Sequence, residues 1–315
     1  MIKTSLCDML HIKYPVVQGG MAWVADADLA AAVSNAGGLG LIAAGNAPVD
    51  YVRQQIVKAK SLTDKPFGVN IMLMSPSSPE IAELVIEEKI PVVTTGAGNP
   101  SKYMPSWKDA GIKVIPVVPS SGLAKMVQRA GADAVVAEGC EAGGHVGQLT
   151  TMALLPQVCD AVDIPVIAAG GIGDGRGIAA ALILGAAGVQ MGTRFLLATE
   201  CNIHENYKKR VIKAKDIDTV VTGRRLGHPV RSLKSLFSND FFTKEYDNSI
   251  SNEELEALGS GALRLAVQEG DDKKGCFMAG QIAGMVHKEQ SAAEMIREIF
   301  EEAEEILGGV QKWLK

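Results

Sequence analysis

The chain has 315 residues, 47% of them hydrophobic, with 34 glycines and a formal net charge of −5. That length and apolar content suit one large domain, or one domain with an appendage, and the acidity argues against a general nucleic-acid binder. The five cysteines are scattered, with no C-x-x-C pair and no zinc or EF-hand spacing, so neither a disulfide framework nor a metal site is expected, and a reducing cytoplasm is.

The first fifteen residues, MIKTSLCDMLHIKYP, lack the apolar core of a secretory signal. Beyond them, short apolar runs recur: PVVQGG (15–20), LGLIAA (39–44), FGVNIM (67–72), PVVTTGAG (91–98), KVIPVV (113–118), AVVAEG (134–139), PVIAAGG (165–171) and GVQMGTRF (188–195). Most are continuously apolar rather than alternating, which suits parallel strands buried on both faces. Helix-like stretches separate them: Asp26 to Ala36, Asp50 to Lys60, Ser78 to Lys89, Ser101 to Ala110, Ser121 to Ala130, Thr151 to Ala161 and Arg176 to Leu184. Several end just before a glycine, as helices prefer. Strand and helix alternating eight times predict an α/β fold, a (β/α)8 TIM barrel; a doubly wound open sheet is the alternative but carries fewer strands.

After Phe195 the pattern changes. Residues of about 200 to 285 are polar and helix-rich with no clear strand, and read as a smaller, mostly helical cap or insert domain. Residues 1–199 and about 286–315 then make the barrel. The final stretch places Ile296, Phe300, Ala303, Leu307 and Leu314 at helical spacing, for packing on the barrel's outside. No membrane span is expected: the charge-free segment between Arg176 and Arg194 is Gly/Ala-rich and broken by turns, where a span needs about 20 apolar residues.

A barrel's site lies at the C-terminal ends of its strands. The residues there are Gln18, Gly19, Gly20 and Met21; Asn70 and Met72; Thr95 and Gly96; Glu138; Ala169, Gly170 and Gly171; and Gly192 with Thr193. Nearly all are small, amide or hydroxyl groups, a lining for a flat polar ring system rather than a metal. The loops AAGGIGDGRG and QMGTR, after the seventh and eighth runs, present backbone N–H groups before a helix, plus a hydroxyl. Together they read as a phosphate site. With no G-x-G-x-x-G and no Walker motif, the phosphate belongs to a mononucleotide or sugar phosphate.

His145 lies in EGCEAGGHVGQLTT, after the sixth run. A lone histidine is ordinarily a surface or core residue. Here the surrounding glycines let a loop fold over a ligand and keep one imidazole reachable, so His145 is the candidate catalyst. His11, His204, His228 and His287 have no such setting and read as ordinary unless the cap positions one. Glu138 suits ligand orientation, cation binding or plain structural hydrogen bonding. Cys140 has no basic neighbour in sequence to activate a thiolate and reads as inert.

Taken together, PVVQGGMAWVA, GVNIML, EGCEAGGHVGQLTTM, PVIAAGGIGDG, VQMGTRF and MAGQIAG closely resemble the enoyl-acyl carrier protein reductase II family, flavoproteins related to nitronate monooxygenases. The resemblance runs along the whole chain. It implies a noncovalent FMN in the barrel mouth, with Gly20, Met21 and Ala22 against the flavin and Asn70 hydrogen-bonding the ring. It implies a phosphate held by Gly170, Gly171, Gly192 and Thr193, with Glu138, Ala169, Gln190 and Met191 at the adjoining strand ends. Met278, Gly280 and Gln281 close the site from the cap, and His145 faces the substrate. The activity it implies is reduction of a trans-2-enoyl thioester on acyl carrier protein by NADH or NADPH, in fatty acid synthesis. A monovalent cation requirement and a homodimer come with the resemblance. The alternative on the same scaffold is a nitronate monooxygenase oxidising alkyl nitronates. Nine Lys/Arg against four Asp/Glu between Cys201 and Asp240 make a local positive segment, suited to steering an acidic carrier protein or a nucleotide phosphate.

Overall fold

The computed structural model describes residues 1–313. Helix α1 (Ser5–Leu10) precedes the first strand, and then strands and helices alternate. In chain order they are β1 (Val16–Gln18), α2 (Ala27–Asn35), β2 (Gly40–Ala43), α3 (Val49–Leu62), β3 (Phe67–Met72), α4 (Ser78–Glu87), β4 (Val92–Gly96), α5 (Met104–Asp109), β5 (Lys113–Val118), α6 (Ser121–Arg129) and β6 (Val135–Glu138). A two-residue strand, β7 (Gly144–His145), follows, and then α7 (Thr151–Cys159), β8 (Val166–Ala169), α8 (Gly175–Ile183) and β9 (Gly188–Met191). Eight strands pair in the order β1-β9-β8-β6-β5-β4-β3-β2, all in parallel. A parallel bridge between Val17 and Leu39 brings the two edges together. The fold is a TIM barrel.

The continuous apolar runs have a direct physical cause. Alternate residues of each strand face opposite sides, and both sides are buried. Val17, Leu41, Val92, Ile115, Val136 and Ile167 form the barrel interior, joined by Leu6 and Leu10 of α1. Their neighbours Val16, Ile42, Val93, Val114, Val135 and Val166 join the larger core shared with the helices. Helix starts are fixed by side-chain caps: the Asp26 carboxylate accepts from Leu29 N at 3.0 Å, and Ser120 Oγ from Leu123 N at 3.3 Å. Helix α1 was not anticipated; its six residues are too few to show a period.

Beyond β9 come α9 (Glu205–Lys213), β10 (Thr219–Thr222), β11 (Val230–Leu233), α10 (Leu236–Glu245), α11 (Asn252–Gly259) and α12 (Ala262–Arg264), which runs into a π-helical turn, Leu265–Glu269. The expectation of no strand here is corrected. β10 and β11 are antiparallel, and β7 from the barrel loop adds a third strand to them. TVVT and VRSL are too short to show a period, and one partner lies far back in the chain. Helix α13 (Ala292–Gly308) buries Ile296, Phe300 and Ala303 against α8 and α2, with Leu307 half-buried. Leu314 lies outside the described residues. No described helix is long and apolar enough to cross a membrane.

Candidate active site

A cavity of about 940 Å³ opens at the C-terminal ends of the barrel strands. Its barrel side is built from Gly20, Met21 and Ala22 after β1, Asn70 of β3, Glu138 of β6, Ala169, Gly170 and Gly171 at β8, and Gln190, Met191, Gly192 and Thr193 at β9. Its other side brings in His145, Met278 and Gly280. Three of the strand-end and cap residues singled out in the sequence are not on the wall: Gln18 and Thr95 are buried, and Gln281 is exposed, its N–H spent on Glu141 O at 2.9 Å.

The barrel side is shaped for a flat polar group. A Cβ on Gly20 would fall on the Asn70 side chain, so only glycine leaves backbone there. Asn70 Nδ2 donates to Thr94 Oγ1 at 2.9 Å, which fixes the amide and leaves its oxygen free to accept. Gly170 and Gly171 sit at φ +86 and +72, in the left-handed region. Gly171, Ile172 and Gly192 line the cavity, and their backbone N–H groups donate to no described protein group. Unpaired N–H groups converging on a concavity favour an anion.

One detail of the expected phosphate site changes. The first turn of α8 is already occupied: Asp174 accepts from Arg176 N and Gly177 N, and Glu302 from Gly175 N at 2.7 Å. The anion-binding capacity therefore belongs to the loops rather than to that helix terminus. Thr193 Oγ1 accepts from Gly280 N at 2.8 Å, tying the later segment to the barrel while its hydroxyl proton stays available.

His145 is held by more than glycines. β7 pairs with β11, His145 opposite Val230 and Gly144 opposite Arg231, and Val146 N donates to Pro229 O at 3.0 Å. The buried Arg231 guanidinium donates from Nε and Nη2 to Cys140 O at 3.1 and 3.0 Å, and from Nη1 to Thr219 Oγ1 at 2.9 Å. That places both ends of the histidine loop on the later sheet. The glycines serve close approach: a Cβ on Gly143 would stand 2.6 Å from the Ala279 carbonyl carbon.

Solvent reaches the His145 ring through the cavity, yet protein surrounds it. That desolvation, with the neighbouring His228, holds its imidazolium below the usual range. The two rings lie 6.2 Å apart between centroids. The Glu138 carboxyl is pushed up to about 7 by burial and has no hydrogen-bonding partner among the described residues. His228, read from the sequence as ordinary, lines the cavity, which corrects that reading, and Arg231 and Glu141 were not singled out. The only trace of the first two was their place in the basic segment.

The described residues contain no cluster of His, Cys, Asp and Glu able to hold a metal ion. Arg225, counted with the steering charges, donates to Asp247 O at 3.1 Å and to Ile250 O at 2.5 Å, so its charge is committed locally. Lys209 pairs with Glu205 at 3.1 Å, and lies with Lys213 and Lys234 on a separate basic hollow.

The nitronate monooxygenase family model matches residues 3–87 and 80–302. A solved structure, FabK from Thermotoga maritima, superposes with a TM-score of 0.97 at 49% identity, covering 99% of this chain and 100% of that one. A probable nitronate monooxygenase of Staphylococcus saprophyticus is 36% identical over 97% of this chain and 99% of its own. The 5-hydroxy-7a-methyl-1-oxo-octahydro-1H-indene-4-carboxyl-CoA dehydrogenase of Rhodococcus jostii is 44% identical over 74% of this chain, which spans 66% of that relative.

Proposed function

The chain belongs to the nitronate monooxygenase family of FMN-dependent oxidoreductases, and from that premise we propose that it reduces trans-2-enoyl thioesters carried on acyl carrier protein, with NADH or NADPH as the electron source. The observation carrying this reading is the full-length likeness to FabK, an enoyl-acyl carrier protein reductase II, cap included. The cap supplies the substrate side of the cavity, so likeness there bears on the substrate.

The residues present fit FMN. Gly20, Met21, Ala22 and Asn70 offer a flat wall with an amide, and the Gly170–Ile172 and Gly192–Thr193 loops offer N–H groups and a hydroxyl to a phosphate. Ala169, Gln190 and Met191 complete the strand-end floor. Met278 and Gly280 face it from the cap, and Gln281 anchors their loop through its backbone. Glu138, on the same wall, would orient the bound group or take a monovalent cation. When bound, FMN supplies the two-electron chemistry between the nicotinamide and the enoyl β-carbon.

His145 works on the other end of the reacting group. Hydride addition at the β-carbon pushes negative charge toward the thioester carbonyl, and a fixed N–H there stabilises it. β7–β11 pairing and Arg231 hold the imidazole at the mouth, and its lowered pKa keeps it a neutral donor at pH 7. The protein divides into a barrel of residues 1–199 and about 286–313 and a cap of about 200–285, is cytoplasmic and works as a homodimer.

Steady-state NADH oxidation with an enoyl-acyl carrier protein tests this reading: turnover dependent on the thioester is expected. Rapid turnover of propyl-nitronate without NADH would instead establish the second reading, nitronate oxidation, which the staphylococcal relative favours.

A further inference from the structure

We propose that His228 is a second catalytic residue of this site, sharing the acid work with His145. The proposal rests on the reductase reading above. His228 sits on the loop between β10 and β11, two residues before the position that pairs with His145. Both imidazoles line the cavity, their centroids are 6.2 Å apart, and neither ring has a hydrogen-bonding partner among the described residues. A gap of that size is spanned by one small polar group within hydrogen-bond reach, about 2.6–3.2 Å, of each ring.

The chemistry needs two donors. A hydride adds to the β-carbon, and the C=C electron pair moves onto the α-carbon–carbonyl unit. The carbonyl oxygen needs a hydrogen bond, and the α-carbon needs a proton. A neutral imidazole has a single N–H, so His145 alone cannot do both at once. His145 donates the hydrogen bond. An N–H bond of protonated His228 breaks as the α-carbon C–H bond forms, and the neutral ring regains its proton from water. The nicotinamide is oxidised and the alkene reduced, so electrons balance.

The other titratable groups on the wall are engaged or placed elsewhere. The Glu141 carboxylate accepts from Thr151 N and Oγ1 at 3.0 Å. Tyr207 donates its hydroxyl to Met278 O at 2.5 Å, and burial pushes the Cys276 thiol up to about 12. Arg264 lies over the Trp23 ring at 4.9 Å. Glu138 ends a barrel strand, on the floor, and Glu256 belongs to α11.

The test compares the flavin-loaded full-length enzyme with His228→Asn and His228→Gln. Flavin absorbance and anaerobic reduction by NADH should match wild type in both, showing an intact site. Reoxidation by a crotonyl thioester should slow about 10²-fold or more, with an altered pH profile. The His145 ring resonance, followed by NMR without substrate, should titrate at higher pH once its neighbour cannot carry charge. Variants reoxidised within about twofold of wild type from pH 6 to 9, with the His145 titration unmoved, overturn the assignment alone. Wild-type enzyme that no enoyl thioester reoxidises overturns the reductase reading and this one together.

Discussion

The floor and the roof of the cavity are made in opposite ways. The floor is the end of eight strands whose residues alternate between two buried faces, and its polar groups, the Glu138 carboxyl apart, are backbone N–H, amides and hydroxyls. The roof is a small three-stranded sheet in which β7, from the loop after β6, is clamped to β11 by Arg231. Under the proposed function the floor holds the cofactor. The roof places two imidazoles, and a change there should alter the reaction while leaving the cofactor bound.

The contrast breaks most sharply at His145. His145→Ala should lower enoyl-thioester turnover about 10²–10⁴-fold with flavin occupancy unchanged, as stopped-flow reoxidation and the visible spectrum would show. Equal turnover would remove the roof from the chemistry. Gly170→Ala attacks the floor. At φ +86 the new Cβ would stand 2.7 Å from Gly139 O, so the variant should purify without flavin and lose about 1–3 kcal/mol of stability. Retained yellow colour at wild-type Tm would contradict the cradle.

Arg231→Lys separates holding from chemistry. Lysine cannot reproduce the fork that grips Cys140 O and Thr219 Oγ1. We expect about 1–3 kcal/mol of lost stability and a fall of about tenfold in kcat, with NADH reduction of the flavin intact.

Glu138 sharpens the floor. Its carboxyl titrates near 7 when folded, against an ordinary 4.5. The folded state therefore binds the extra proton between those values, and this contribution to stability is present below pH 4.5 and lost as pH rises through 7. Solvent in the cavity screens the charge, so Glu138→Gln should raise stability at pH 8 by only about 1–2 kcal/mol, with little change at pH 4. Thermal melts of the flavin-free protein at both pH values check this.

The smallest effect should be at the surface. Lys209→Glu with Arg224→Glu should raise KM for the carrier protein about two- to fivefold at low salt, fading at high salt. Arg225 is left unchanged in this variant, because its guanidinium holds three backbone carbonyls.

The two regions also differ in how much the sequence disclosed. Double-sided burial writes continuous rather than alternating apolar runs, so the barrel, its helices and the strand-end glycines could be read directly. His145 stood out because four glycines in a short span need a reason. β10 and β11 left no such mark, since four residues hold too few repeats of a two-residue period. His228 and Arg231 looked like members of a solvated basic segment, because what they do depends on a pairing with residues some 85 positions earlier. The Glu302 cap on α8 was invisible for the same reason: it arrives from the far end of the chain.

The most direct test is a single anaerobic titration of the purified protein. The account predicts a yellow protein whose flavin band bleaches on adding NADH and returns when an enoyl thioester is added. A colourless protein that takes up no FMN, or a bleached band that the thioester leaves untouched, would contradict it.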